Sequence, residues 1–175
     1  RDADKTFDIS RDLEELGEID VAVVCAGAKA ILDLKLTLEY LETKGVEVLG
    51  YQTDELPAFY SRESGLSVDY HMASTKDIAR LLKSKWDAKI RGGVLIANPI
   101  PQAYSMDSSI INDAIENALV EAKKEGISGK ETTPYLLAKI KQITEGKSLE
   151  SNLALVYHNA YIAAKIAIDY WDMMG

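Results

Sequence analysis

The chain of 175 residues is poor in the residues that staple or ligate: one cysteine and two histidines. Cys25 alone excludes an internal disulfide and any multi-cysteine metal site. His71 and His158 are too few for a histidine-rich centre. Basic residues are also in deficit, 20 Lys and Arg against 28 Asp and Glu, for a net charge of −8. That balance argues against a nucleic-acid backbone or an anionic membrane as the main partner. The nine tyrosines are scattered without a basic frame, which removes a base-stacking platform as well. No apolar run approaches the ~18 residues of a membrane span, and no signal peptide is visible. The expectation is a soluble, cytoplasmic protein. What remains is ordinary for a folded domain, 47% apolar and 27% charged. The opening, Arg1-Asp2-Ala3-Asp4-Lys5, has no methionine and reads like the interior of a longer polypeptide.

Three short runs bounded by glycine or proline read as buried strands: residues 21–25, 46–49 and 94–97. Residues 68–72 alternate polar with apolar and suggest a more exposed one. Between them lie helical patterns. Residues 30–44 align Leu34, Leu38 and Leu41; residues 75–89 follow Ser74 in a capping box with Asp77 and align Ile78, Leu81, Leu82 and Trp86. The last third is helical almost throughout. Asp107 caps a pattern carrying Ile110, Ile111, Ala114, Ala118 and Ala122, and Thr133-Pro134 starts a second with Leu136, Leu137, Ile140 and Ile143. Ser148 opens a third whose inward stripe is expected to be Asn152, Val156, Ala160, Ala163 and Ala167. Strand and helix alternate early, so the expected fold is one α/β domain over residues 1–175. Its form is a three-layer α/β/α sandwich with a largely parallel or mixed sheet and a helix-rich C-terminal third.

Open α/β sheets bind ligands beyond the carboxyl ends of their strands. There, after Cys25, the small residues Ala26-Gly27-Ala28 lead to Lys29, placed beside the expected helix start. A helix N-terminus and desolvation both disfavour the ammonium, and nucleophilic use at pH 7 needs a pKa drop of roughly three units. The simpler alternative is one of many lysines reaching solvent. Asp8, Ser10 and Asp12 pack hard oxygen donors into five residues before a helix. They fit either plain capping by Ser10 or a Mg²⁺ or Mn²⁺ site completed by water. Gly92-Gly93 and Asn98-Pro99-Ile100-Pro101 bracket the third strand with fixed turns. Asn152 requires a partner if buried, either a local backbone group or a ligand. Cys25 reads as packing, and the histidines as surface or satisfied groups.

Longer runs carry a resemblance. Thr6-Phe7-Asp8-Ile9-Ser10, Val23-Val24-Cys25-Ala26-Gly27-Ala28-Lys29 and Leu38-Glu39-Tyr40-Leu41-Glu42-Thr43 resemble the pseudouridine-5'-phosphate glycosidases, or indigoidine synthase A-like family. So do Gly50-Tyr51-Gln52-Thr53, Leu56-Pro57-Ala58-Phe59, Ala97-Asn98-Pro99-Ile100-Pro101, Thr133-Pro134-Tyr135 and Ser151-Asn152, in order along the whole chain. The resemblance implies an α/β/α fold, a homotrimer, and reversible cleavage of pseudouridine 5'-phosphate to uracil and ribose 5-phosphate. By position it puts the catalytic lysine on Lys29, an Mn²⁺ ligand on Asp8, substrate contacts on Ser10, Arg11 and Asp12, and a functional asparagine on Asn152. A carbon leaving group has no lone pair to protonate, which favours a lysine that opens the ribose and passes through a Schiff base, with Asp12 taking the ammonium proton. Family members have a long portion before the position of Arg1 that supplies a proton-donating glutamate and a substrate-contacting lysine. This chain is therefore expected to be a C-terminal portion that associates with that missing N-terminal segment. The alternatives are a non-catalytic sugar-phosphate-binding or assembly fragment, and a lysine-dependent lyase acting on another sugar phosphate.

Overall fold

A computed structural model of the chain describes residues 9–28, 32–127 and 131–174. Among these residues a sheet of four strands forms: β1 (Ala22–Cys25), β2 (Glu47–Tyr51), β3 (Tyr70–Met72) and β4 (Val94–Ala97). Their order is β1-β4-β2-β3 and every pairing is parallel, so the expected α/β class holds in its parallel form. The alternation of side chains along each strand then decides the layers. Val94 and Ile96 face one side with Leu49, while Leu95 and Ala97 face the other with Val48.

Helices cover both faces. α1 (Arg11–Glu18) and α2 (Leu34–Thr43) lay Leu13, Leu16, Leu34, Leu38 and Leu41 against Val48, Leu95 and Ala97. On the opposite face, α3 (Thr75–Asp87) and the 26-residue α6 (Lys147–Asp172) pack Ile78, Leu82, Ile162 and Ile166 against Leu49, Val94 and Ile96. Ser74 caps α3 by accepting Asp77 N–H, as the capping box predicts. Two more helices, α4 (Ser108–Lys124) and α5 (Thr132–Ile143), pair with each other around a separate core of Ile111, Ile115, Ala118, Ala122, Leu136 and Ile140.

Three expectations need correction. α2 begins at Leu34, with Asp33 as N-cap accepting Leu36 N–H, rather than near residue 30. α5 begins at Thr132, so Pro134 sits inside its first turn, where a missing N–H costs nothing, and Thr133-Pro134 is not the cap pair. α6 starts after Gly146, and its inward face is Ser148, Ser151, Leu155, Ile162 and Ile166, with Val156 53% exposed. The expected stripe is rotated by about one residue, or 100°. Apolar residues surround this helix, so periodicity alone did not select a face.

Candidate functional site

The carboxyl ends of β1 and β4 lie side by side, with Cys25 opposite Ala97. The chain leaves β1 through Ala26, which is buried, and Gly27, whose φ of +84° is left-handed. A Cβ on Gly27 would sit 1.7 Å from the Pro57 carbonyl oxygen, so the turn accepts no side chain. The Leu56–Ser61 loop holds this turn from one side: Phe59 N–H donates to the Ala26 carbonyl at 2.9 Å. Phe59 itself has φ +64°, a strained value for a bulky residue, and is held there by edge-to-face contact with Tyr60 and by packing beside Ile100 and Leu155. From the other side, Asn98 N–H donates to the Cys25 carbonyl at 2.7 Å.

α6 spans two environments. Its C-terminal half packs on the sheet face through Ile162 and Ile166. Its N-terminal half passes over the sheet edge, where Leu155 meets Ala26 and Ile100, and Ser151 Oγ donates to the Tyr104 carbonyl at 2.8 Å. Asn159 accepts a hydrogen bond from Asn98 Nδ2 at 2.9 Å. Asn152 is half-buried on the flank of the same inward face, seven residues earlier. Beyond the strand ends lie two clefts. One of about 220 Å³ is lined by Ser61, Arg62, Glu63, Gln102, Ser105 and Ser108. The other, about 380 Å³, runs along Glu55, Ala58, Ser64, Gly65 and Asn112.

Lys29 and Asp8 lie outside the described residues. Ser10 is the N-cap of α1, accepting Asp12 N–H at 3.3 Å, so its hydroxyl is used as capping predicts. Arg11 and Asp12 are exposed, and Arg11 pairs with Glu15 at 2.9 Å. The other end of α1 is tied to the amino ends of the strands by Gly93 N–H donating to the Leu16 carbonyl. A short link from Glu18 to Ala22 then carries the chain into β1. The start of α2 is capped by the Asp33 carboxylate.

Among the described residues no group of three or more His, Cys, Asp or Glu is placed to hold a metal. Burial pushes the Cys25 thiol up, so it stays protonated at neutral pH and packs, as expected. His71 is exposed against Asp54 at 2.9 Å. His158 is half-buried, and burial, seconded by the charge of Arg62, holds it below the ordinary histidine value. Sequence reasoning missed Asn159 and the strained Phe59. The seven-residue spacing of Asn152 and Asn159, two helical turns, was the available signal.

The family model for indigoidine synthase A like protein matches residues 1–169. A pseudouridine-5'-phosphate glycosidase of Alkaliphilus metalliredigens is 60% identical over 96% of this chain and 55% of its own length. One from Clostridium botulinum is 57% identical over 97% of this chain and 55% of its own. The chain thus spans about half the length of the curated relatives it matches. Among solved structures, the prealnumycin C-glycosynthase AlnA in complex with ribulose 5-phosphate superposes with a TM-score of 0.92 at 35% identity, over 98% of this chain and 57% of that one. An indigoidine synthase A-like protein from Thermotoga maritima gives 0.82 at 33% identity, over 91% of this chain and 53% of that one.

Proposed function

The chain belongs to the indigoidine synthase A like family, and from that premise we propose that it forms the C-terminal portion of a pseudouridine-5'-phosphate glycosidase. Chemistry on a C-glycoside that involves a sugar phosphate is the broader class, common to the glycosidases it resembles and to the C-glycosynthase with ribulose 5-phosphate. The observation that carries the finer reading is the Ala26–Ala28 turn. It is clamped between the Pro57 carbonyl and Asn98 at the ligand-binding edge, and it leads directly to Lys29.

In this reading the Lys29 amine attacks C1' of the ribose, the C1'–O4' bond breaks, and O4' takes a proton. The nitrogen lone pair then forms C1'=N as the C1'–C5 bond breaks. Those electrons pass into the uracil ring, which is protonated at C5. Water adds to the imine and returns the free amine and ribose 5-phosphate. Asp12 is the proposed acceptor of the ammonium proton. Ser10, Arg11, Asp12 and Asn152 are the proposed substrate contacts. Asp8, a hard oxygen donor beside Ser10 and Asp12, is the proposed ligand of one Mn²⁺, which would supply charge neutralisation and ordered water. A homotrimer, an added N-terminal segment supplying the missing acid, and a cytoplasmic location belong to the same proposal.

Borohydride reduction in the presence of ribose 5-phosphate tests the covalent step. Mass spectrometry of the digested protein is expected to find the reduced sugar on Lys29. Labelling at other lysines with Lys29 unmodified removes it from the nucleophile's role.

A further inference from the structure

Asn98 follows β4, the strand between β1 and β2. Its side chain is buried, 1% exposed. Nδ2 is committed to Asn159 at 2.9 Å, and that bond fixes the plane of the amide. Oδ1 has no hydrogen-bond partner among the described residues. Close by in the chain, Ile100 forms an apolar cluster with Ala26 and Leu155, and one N–H of Arg62 donates to the Ile100 carbonyl. A buried acceptor without a donor is costly, and folded proteins rarely keep one. One kept in a fixed orientation at the ligand-binding edge of an α/β sheet has the form of a preorganised contact whose donor arrives with the ligand.

We infer that Asn98 is a specificity-determining residue whose Oδ1 accepts a hydrogen bond from an N–H or O–H of the bound ligand, with Asn159 as its positioning residue. An amide oxygen accepts and does not donate, so it selects against a phosphate oxygen or a carbonyl at this point. The chemistry it fits is a ring N–H of uracil or a hydroxyl of the opened sugar. The inference rests on the proposed function and deepens it, because it names the group that would accept from an N–H or O–H of that substrate.

The test measures the affinities of the intact protein for uracil and for ribose 5-phosphate separately by calorimetry, together with Tm. The variants are Asn98→Leu, the double variant Asn98→Leu/Asn159→Leu, which strands no amide, and Asn159→Asp, which keeps an acceptor for Nδ2. Both leucine variants are expected to weaken one ligand by about tenfold or more, as loss of a polar contact at a built site does. The other ligand should be unaffected and Tm of the double variant should not fall, and the weakened ligand is the donor. Asn159→Asp is expected to stay within about threefold of the parent, because Asn98 keeps its anchor. Unchanged affinities in the leucine variants, equal weakening of both ligands, or a double variant that does not fold would each assign the pair to the scaffold and overturn the inference. A parent protein that binds neither ligand would instead overturn the proposed function, and this contact with it.

Discussion

The sheet edge and the α4–α5 pair are built on different terms. At the sheet edge, backbone meets backbone: Pro57 against Gly27, Phe59 against Ala26, Asn98 against Cys25. The α4–α5 pair instead closes over its own side-chain core, with Tyr60 and Phe59 reaching in from the Leu56–Ser61 loop. Two glycines make the contrast concrete. Gly27 and Gly126 both have positive φ, +84° and +72°, yet a Cβ on Gly126 meets nothing within 4 Å. The lesson is that the edge has no slack. A change there must move a strand end, whereas a change at the end of α4 is absorbed by solvent.

The largest expected effect breaks that contrast most directly. Gly27→Ala adds left-handed strain to an overlap with a carbonyl oxygen and is expected to cost about 4 kcal/mol, with loss of any activity that depends on Lys29. Gly126→Ala carries the strain alone, about 1 kcal/mol. Denaturant unfolding of the two variants gives the comparison. Equal losses would mean that the Gly27 turn relaxes freely and that the edge is not held as described.

The next effect concerns α6 and shows how far the sequence could be read. Strands were legible because Val94-Leu95-Ile96-Ala97 is apolar on both faces, as a central parallel strand must be. The caps at Ser10, Ser74 and Asp107 were legible because capping is local chemistry. The inward face of α6 was not. Leu149, Leu153, Tyr157, Tyr161, Ile168 and Trp171 are exposed large apolar residues on the same helix as the buried Leu155, Ile162 and Ile166. A helix apolar all round has no preferred side until a partner is specified. The Ala26–Ala28 turn was legible as a place for close approach, but not what approaches it, since Pro57 is about thirty residues away in sequence. Leu155→Ala is expected to cost about 3 kcal/mol, as truncation of a core leucine does, and Val156→Ala less than about 0.5 kcal/mol. The reverse order would restore the stripe that includes Val156 as the buried one.

The smallest effect is electrostatic and touches the edge through His158. Burial, then the charge of Arg62, holds its pKa below the ordinary value near 6.5. The folded state therefore binds a proton less readily than the unfolded chain. The neutral imidazole's contribution to stability is complete above the unfolded pKa of about 6.5, and it is lost as pH falls through that value toward the lower folded one. A mild decline in Tm on acidification through this window is expected, and His158→Gln should flatten it. Because burial is the first cause and Arg62 the second, Arg62→Gln should raise the titration midpoint seen by NMR only part of the way back. Full recovery would make Arg62 the dominant influence and would place His158 in a wetter setting than its half-buried position on α6 implies. A midpoint unmoved by Arg62→Gln would leave desolvation alone in control, and would separate His158 from the guanidinium that serves the Ile100 carbonyl.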